Sequence, residues 1–236
     1  MTDLTKTSRV YTNNPLGEGH SLSLDGDTHH YLRNVMRVAE GQVVRVFNGR
    51  NGEFVGRIER VDKKQIEITL ENRIREQQDP RHRVHLLFTP LKKERMDFLI
   101  EKAVELGATD FHPVLTQNTD IRKINDDRIR AQIIEAAEQC ERMDIPNLHD
   151  ATDILPKMAG WAKDIPVWAG IERMGVEPMP RGTEQDCAVL IGPPGGFTTE
   201  EKSDIVGRPF IRAVALGKNI LRSETAAIAA LSLLRL

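Results

Sequence analysis

Three glycines and two prolines fall within five positions, directly after an apolar run. Residues 188–191 are Ala-Val-Leu-Ile, and Gly-Pro-Pro-Gly-Gly follows at 192–196. Glycine lacks a Cβ atom, so its backbone N–H and C=O groups can approach a ligand closely. The prolines would hold such a loop in one conformation before binding. A purely structural turn is the alternative.

Arg222 directly precedes a predicted helix start, where a cation is electrostatically unexpected. Ser223 is a good N-cap, and Glu224 and Thr225 suit the first helical turn. A helix N-terminus already has partial positive charge. Arg222 therefore makes sense if an anion binds there, attracted by the guanidinium and by the free N–H groups. Pairing of Arg222 with Glu224 or Glu172 is the alternative.

These residues lie in loops that follow predicted strands in the last two thirds of the chain. Apolar strands are predicted at 84–91, 110–116, 165–171, 187–192 and 211–217, alternating with helices that include 95–107 and 126–140. This alternation is typical of a parallel sheet covered on both faces. Ligands bind outside the carboxyl ends of such strands. We therefore expect the loops at 168–173, 191–197 and 215–226 to meet.

The first third of the chain predicts short strands joined by tight turns. The segments 43–49 and 53–61 flank Gly-Arg-Asn-Gly, which is a hairpin signal, and 66–74 alternates apolar and polar residues. One helix is predicted over 27–37. Together these elements suggest a small β-barrel. The polar stretch 75–83, which contains a proline, marks the expected linker.

The composition is that of an ordinary soluble chain. Its 236 residues are 39% hydrophobic and 29% charged, with a formal net charge of −2. The near-neutral charge argues against a protein that coats nucleic acid by charge alone. No apolar run approaches the ~20 residues of a membrane span, and no export leader is evident. Cys140 and Cys187 form no disulfide framework, so we expect a cytoplasmic protein with no membrane association.

Several other site classes lack their motifs. The sequence contains no dinucleotide or P-loop glycine motif, no His-Glu-x-x-His and no Gly-x-Ser-x-Gly. His29 and His30 are adjacent, so they would point apart on a helix, and no third ligand lies near them in the sequence. A structural or RNA-facing role is favoured for this pair. We expect no metal site.

The last helix is apolar on every side. From 226 to 234 only Ser232 is polar. A helix that is hydrophobic all round must be buried all round, and the core of one small domain covers only one side. A second copy of the chain is the economical cover for the other side, so we expect a homodimer.

Five segments in this order and spacing resemble one known family. IGPPGGF, LGKNILRSETA, KAVELGA, AAEQC and HHYLRNVMR are similar to segments of the bacterial ribosomal RNA small subunit methyltransferase E family, which belongs to the SPOUT class. The resemblance spans nearly the whole chain. It implies an N-terminal PUA-like β-barrel for RNA over residues 1–76. It also implies an α/β methyltransferase domain with a C-terminal trefoil knot over residues 77–236, and a homodimer.

The resemblance also implies the reaction. Family members use S-adenosyl-L-methionine to methylate N3 of one uridine of 16S rRNA in the assembled 30S subunit, with S-adenosyl-L-homocysteine as product. Transfer of a methyl group from sulfur to nitrogen requires loss of the N3 proton and places transient negative charge on the base. Arg222 is the candidate that stabilises this charge or holds a nearby phosphate. Glu224 is the candidate that accepts the proton or orients Arg222, with Glu172 second.

The resemblance assigns two further sets of residues. The cofactor is expected to contact the knot loops, mostly through backbone groups, at Gly170, Glu172, Ile191, Gly192, Gly195, Gly196, Leu216, Gly217, Ile220, Leu221, Arg222 and Thr225. RNA is expected to contact Arg9, His30, Arg33, Arg37, Lys92 and Arg95. Arg33 and Arg37 would lie one helical turn apart and touch backbone phosphates.

The chain departs from the family pattern at three positions. Pro194 replaces the usual glutamate of the glycine loop, Asn118 stands where arginine is common, and Glu141 replaces a glycine. Two other functions remain open. One is methylation of a different RNA, at a tRNA base or a ribose 2′-OH, and the other is a non-catalytic RNA-binding assembly factor.

Overall fold

The computed structural model describes residues 4, 7–171 and 177–235. The chain forms two compact units. The first unit comprises the residues up to Asp79 together with Ala137–Ile145, and the second comprises Pro80–Ala136 and the residues from Pro146 onward. The division of the chain after residue 76 stays a prediction.

The first unit is built on a five-stranded sheet. Its strands are β1 (Arg9–Tyr11), β2 (Ser21–Leu24), β3 (Val43–Phe47), β4 (Glu53–Val61) and β5 (Ile66–Arg75), in the order β1-β3-β4-β5-β2. β1 and β3 are parallel, and the other pairs are antiparallel. The predicted hairpin is confirmed, since β3 and β4 pair on either side of the Gly-Arg-Asn-Gly turn. The sequence did not predict β1 and β2.

The helix expected over 27–37 is shorter and irregular. It consists of α1 (Gly26–His30) and a π-helical turn, Tyr31–Val35. Leu32 is fully buried and anchors this segment in the core of the first unit. Arg37 has a φ angle of 53° and lies beyond the helix end. Arg33 and Arg37 are therefore not one helical turn apart, and that expectation was wrong.

Arg9 is a structural residue of the first unit. Its side chain is buried, with the guanidinium 3.5 Å from the centre of the Phe47 ring and Nε 3.2 Å from Oε1 of Glu53. It also donates hydrogen bonds to the carbonyl oxygens of Ala137 and Arg142. With its donors engaged inside the unit, Arg9 offers no free face to a phosphate. The expectation that Arg9 contacts RNA was therefore wrong.

The second unit contains a parallel sheet, as the alternation of elements predicted. Its strands pair in the order β11-β13-β10-β12-β6-β7-β8, and β9 pairs with the end of β7. The run of buried residues along β12 is typical of a strand covered on both faces. The strands are β6 (Val84–Phe88), β7 (Asp110–Leu115), β8 (Asn147–Leu148), β9 (Thr152–Asp153), β10 (Val167–Gly170), β11 (Glu177–Pro178), β12 (Cys187–Ile191) and β13 (Ile211–Ala215).

Five helices complete the chain: α2 (Lys93–Glu105), α3 (Asp126–Gln139), α4 (Ile154–Ala159), α5 (Thr199–Val206) and α6 (Ser223–Arg235). Gly107, with a φ angle of 90°, follows the end of α2 as predicted. α2 packs against α6. α4 was not predicted.

The last helix, α6, is buried along one stripe rather than all round. Ala227, Ala230, Leu231 and Leu234 are buried, whereas the residues between them are partly exposed. In the single chain the core therefore covers one side of α6, as expected, and cover of the other side by a second copy stays a prediction. Across the described residues, none of the helices has the length and apolar character needed to cross a membrane.

Candidate functional site

The described parts of the three loops expected to meet lie together in the second unit. β10 is central, because Gly170 at its end pairs in register with Ile191 of β12 and with Val214 of β13. The loops that follow these strand ends line a cavity of ≈ 600 Å³. The expected cofactor-binding residues that line it are Gly170, Ile191, Gly192, Gly196, Leu216, Gly217, Ile220, Leu221 and Arg222.

Two expected residues, Gly195 and Thr225, are not part of the cavity lining, and a third lies outside the described residues. Gly195 faces Asn118, whose side-chain amide lies 3.5 Å from the Gly195 carbonyl oxygen. Thr225 is exposed in the first turn of α6. Glu172 lies outside the described residues. Contact of Gly195 and Thr225 with the cofactor stays a prediction.

Glycine is required at position 192 by a close aromatic neighbour. A Cβ atom at Gly192 would lie 2.7 Å from Cε2 of Phe197, closer than real Cβ contacts allow. Phe197 is buried and forms part of the cavity wall. Gly196 has a φ angle of 71° and donates its N–H to the Pro193 carbonyl oxygen at 2.8 Å, which closes the turn. The loop thus presents backbone, proline rings and an aromatic ring to the cavity.

Glu201 stabilises this loop through hydrogen bonds to backbone N–H groups. Its side chain completes a capping box with Thr198 at the start of α5. Its Oε1 atom also accepts a hydrogen bond from the backbone N–H of Gln117 at 2.9 Å. The neighbouring Asn118 donates its amide to the Gly196 carbonyl oxygen at 2.9 Å. The sequence contained a signal for the first contact, since Thr-x-x-Glu before a helix indicates a capping box. The link to Gln117 joins residues 84 positions apart, which sequence spacing does not reveal.

Ser223 ties α6 to the glycine loop. Its hydroxyl donates to the carbonyl oxygen of Gly192 at 2.9 Å, and the helix already begins at Ser223. The side chain therefore joins two of the cavity loops instead of serving as the expected N-cap. This bond brings the first turn of α6, and Arg222 just before it, to the rim of the cavity.

Arg222 and Glu224 do not pair. Arg222 is exposed on the cavity lining, and no described residue forms an ion pair or side-chain hydrogen bond with its guanidinium. The Glu224 carboxylate is buried, with Oε1 3.6 Å from Nε of Arg95. Its Oε2 atom is also buried and has no hydrogen-bond partner among the described residues. Glu224 therefore lies against Arg95 and not against Arg222, contrary to the expected pairing, and its role as proton acceptor stays a prediction.

The expected RNA-contacting residues fall into two groups. In the second unit, Arg95 lines the cavity and Lys92 is exposed at the start of α2. In the first unit, His30 and Arg37 are exposed and Arg33 is partly exposed. All five side chains are open to solvent, in contrast to Arg9. Their contact with RNA stays a prediction.

A histidine cluster lies at the amino-terminal ends of β6 and β7, and the sequence did not predict it. Nδ1 of His85 lies 3.0 Å from Nε2 of His112, and Asp110 accepts hydrogen bonds from Arg83 and Thr109 and lies 2.9 Å from His149. Burial lowers the pKa of His112 to about 2. Burial alone would raise the pKa of Asp110, but the bonds from His149 and Thr109 outweigh it and lower that pKa to about 2.

The same cluster is where a metal ion could be sought. Potential metal-binding atoms of His85, Asp110 and His112 lie within 4.8 Å of one another. Among the described residues this is the one group of three such side chains close enough to share a metal ion. Ligating histidines normally donate their second ring N–H to an acceptor. Here Nε2 of His85 and Nδ1 of His112 are buried without any partner in the described chain, and Arg83 occupies both oxygens of Asp110. The donor set therefore fits a packed hydrogen-bonded cluster better than a metal site.

Two family models match this chain. One, described as an RNA methyltransferase domain, matches residues 77–235, and the other, described as an RNA methyltransferase PUA domain, matches residues 24–71. A relative from Buchnera aphidicola named ribosomal RNA small subunit methyltransferase E is 30% identical over 97% of this chain and 95% of its own length.

Two solved structures are similar over nearly the whole chain. A Legionella pneumophila protein solved with the bound cofactor SAM is 30% identical, with a TM-score of 0.86 and 96% coverage of both chains. Ribosomal RNA small subunit methyltransferase E from Neisseria gonorrhoeae, bound to S-adenosyl methionine, is 25% identical, with a TM-score of 0.85 and coverage of 96% and 95%. The expected fold, a SPOUT α/β domain with a PUA-like β domain, is confirmed. The chain belongs to the ribosomal RNA small subunit methyltransferase E family of RNA methyltransferases.

Proposed function

We propose that this protein is an S-adenosylmethionine-dependent methyltransferase that modifies N3 of a uridine in the 16S rRNA of the small ribosomal subunit. The observation with the greatest weight is the convergence of three strand-end loops on one cavity. One of these loops is rich in glycine and proline, and Arg222 lies at the rim with no partner among the described residues. Relatives that are similar over nearly their whole length are named for small-subunit rRNA methylation, and two similar structures hold the methyl donor.

The cavity suits the methyl donor in size and chemistry. Its ≈ 600 Å³ falls within the range of small-molecule sites, and its wall is mostly backbone and apolar side chains. Gly170, Gly192 and Gly217 line the cavity, so their backbone groups could contact the donor with no Cβ atom in the way. Lys202 of α5 also lines the cavity and would pair with the carboxylate of the donor. The donor supplies an electrophilic methyl carbon, whose bond to sulfur breaks with the electron pair left on sulfur.

The side chains act mainly by position and charge. The N3 lone pair of the base forms the new carbon–nitrogen bond once the N3 proton has left. Arg222 lies where its guanidinium can stabilise the resulting negative charge on the base or hold an adjoining phosphate. Glu224 is buried against Arg95, which removes it from solvent but leaves one oxygen without a described partner. We assign Glu224 to orienting Arg95.

We extend the proposal to the assembly of the chain. A homodimer would cover the apolar surface where α2 packs on α6. Phe98 of α2 is 47% exposed, and Ile228 and Leu233 of α6 are partly exposed in the single chain. The trefoil knot implied by the resemblance, and a cytoplasmic location where ribosomal subunits assemble, belong to the same proposal. Multi-angle light scattering tests the dimer, since a single-chain mass of 26.6 kDa at micromolar concentration would contradict it.

Methylation of isolated ribosomal subunits tests the function directly. Small subunits from a strain lacking the relative's gene are incubated with the protein and labelled S-adenosylmethionine, and the modified nucleotide is mapped by mass spectrometry. We expect one N3-methyluridine in 16S rRNA. Label in tRNA or in a ribose methyl group would support a different acceptor. Absence of donor binding in calorimetry would support a non-catalytic assembly factor, to which the loss of the usual loop carboxylate at Pro194 lends some weight.

A further inference from the structure

A second groove adjoins the cofactor cavity within the same unit. It has a volume of ≈ 550 Å³ and is lined by the start of α2, by two residues after β7 and by the two prolines of the glycine loop. We call it the α2 groove. It shares Arg95, Pro193 and Pro194 with the cofactor cavity, so the two spaces adjoin at these residues. Like the cavity, it lies at the carboxyl edge of the sheet.

The lining of the α2 groove suits a ligand that offers both an anion and hydrogen-bond donors. Lys92 and Lys93 are exposed on one side of it, while Glu94 and Asp120 lie on the same lining. A purely anionic ligand would be repelled by these carboxylates. A ribonucleotide can offer a phosphate to the lysines and a base N–H or ribose hydroxyl to the acids.

The wall between the two spaces consists of proline rings and one guanidinium. Pro193 and Pro194 present apolar ring faces without N–H donors, against which the face of a base can pack. The wall therefore offers two uncharged ring faces and one cation to a base.

Arg95 is held at this wall by a buried partner. Its Nε atom lies 3.6 Å from Oε1 of Glu224, while no described residue forms a hydrogen bond with its two terminal nitrogens. Glu224 is only 7% exposed, and its second oxygen has no described partner. Because Glu224 is buried and fixed in place, its ion pair restricts the rotamers of the half-exposed Arg95 side chain. Its fork remains available to a ligand.

We propose that the α2 groove is the seat of the acceptor nucleotide. The phosphate lies on Lys92 and Lys93, the base packs on Pro193 and Pro194, and Arg95, positioned by Glu224, contacts the base at the opening into the cofactor cavity. This inference rests on the proposed function and names the part of the site that takes single-stranded RNA.

Lysine variants test the groove by binding and by kinetics. The probes are labelled hexauridylate for binding and hypomethylated 30S subunits for methylation. Lys92→Gln and Lys93→Gln should each reduce the slope of log affinity against log salt by about 0.7. Together they should raise the KM for 30S subunits about tenfold, with kcat and donor affinity nearly unchanged. Lys163→Gln, at an exposed position of the same unit away from the groove, is the matched control.

The Arg95–Glu224 pair is tested by a double-mutant cycle. Arg95→Gln should lower kcat about 10²-fold, measured at a temperature at which circular dichroism shows the variant to be folded. Glu224→Gln should lower kcat by a similar factor, and the double variant should be no worse than Arg95→Gln, because both changes act on one guanidinium. Additive losses in kcat would overturn the positioning role of Glu224.

The results separate the groove from the reaction. Unchanged salt slopes and an unchanged KM in the lysine variants would overturn the groove even if the wild-type protein methylates 16S rRNA. Lack of hexauridylate binding by the wild-type protein would also overturn it. Flattened salt slopes in a protein that yields no methylated 30S subunits would support the groove and reject the proposed reaction.

Discussion

The two edges of the parallel sheet differ in whether their ionisable side chains are paired within the fold. At the carboxyl edge, Arg222 and the terminal nitrogens of Arg95 face open space without a described partner, beside backbone exposed by glycine. At the amino edge, His85, Asp110 and His112 are buried against one another and against Trp161. The first edge keeps charge available for a ligand, whereas the second neutralises or pairs it within the fold.

This difference shows how a perturbed pKa can mislead. A cluster of titratable groups with strongly shifted pKa values is a common sign of an active site. In this chain Asp110 and His112, whose pKa values are both lowered to about 2, lie at the amino edge, where burial and mutual contact explain the shifts. The candidate site at the carboxyl edge is recognised instead by its cavity, its glycines and its unpaired guanidinium. The comparison therefore predicts catalytic defects from changes at one edge and stability defects from changes at the other.

Removal of the guanidinium at the carboxyl edge should give the largest effect. Arg222→Ala should lower kcat on 30S subunits about 10²- to 10³-fold, because a positioned cation that stabilises developing charge has this weight. Steady-state methylation measures the loss, with Arg212→Ala on β13, outside the cavity lining, as the control. Wild-type turnover in Arg222→Ala would remove Arg222 from the reaction.

Lowering the pH should reduce the free energy of unfolding through the buried histidine cluster at the amino edge. The pKa of buried His112 is about 2, below the ordinary 6.5 of the unfolded chain. Between these values the unfolded state binds the additional proton, so stability falls as pH drops below about 6.5. The loss amounts to about 3 kcal/mol by pH 4.5.

Urea unfolding followed by tryptophan fluorescence measures this loss, because Trp161 and Trp168 both lie in the second unit. His112→Leu should flatten the dependence between pH 6.5 and 4.5 without changing donor affinity at pH 7.5. His82→Gln, at a partly exposed position of the same unit, is the control. An equally steep acid dependence in His112→Leu would contradict the assignment of the cluster to stability.

A single methyl group should perturb the glycine loop. In Gly192→Ala the new Cβ would displace the Phe197 ring from the cavity wall. Overpacking of this kind typically costs 1–3 kcal/mol, so donor affinity should fall about tenfold in calorimetry. Gly160→Ala at the end of α4, where the added Cβ would meet its nearest neighbour at an ordinary 3.7 Å, should bind the donor as the wild type does. Equal affinities in the two variants would mean that the donor does not depend on this loop.

Loss of the hydrogen bond between Ser223 of α6 and the glycine loop should have the smallest effect. Ser223→Ala removes the bond to the Gly192 carbonyl oxygen, worth about 1 kcal/mol, and should weaken donor binding about fivefold. Ser232→Ala removes a hydroxyl bond within α6 and is the matched control. A larger loss in Ser232→Ala than in Ser223→Ala would reverse the comparison.

Turn residues and the spacing of apolar residues predicted the hairpin and the parallel sheet. The β3–β4 hairpin followed from its turn residues, and the parallel sheet followed from buried apolar runs. The meeting of Gly170, Ile191 and Val214 followed from the rule that parallel strands end at one edge. These inferences need only spacing and chain direction.

The errors concern contacts between residues that are distant in sequence. Arg9 looked available to RNA, but its partners Glu53 and Ala137 lie 44 and 128 positions away. Glu224 looked like a partner of nearby Arg222, yet it pairs with Arg95 of another helix. The helix expected beyond Val35 ends there because the backbone turns to a positive φ angle at Arg37. Side-chain pairing of this kind is set by packing, which periodicity does not encode.

A crystal structure of the protein with S-adenosylmethionine tests the central claim most directly. We predict that the donor occupies the ≈ 600 Å³ cavity against Gly170, Gly192 and Gly217, with its methyl group facing Arg222 and the opening to the α2 groove. A donor bound at the amino edge beside His112, or elsewhere outside these three loops, would contradict the account.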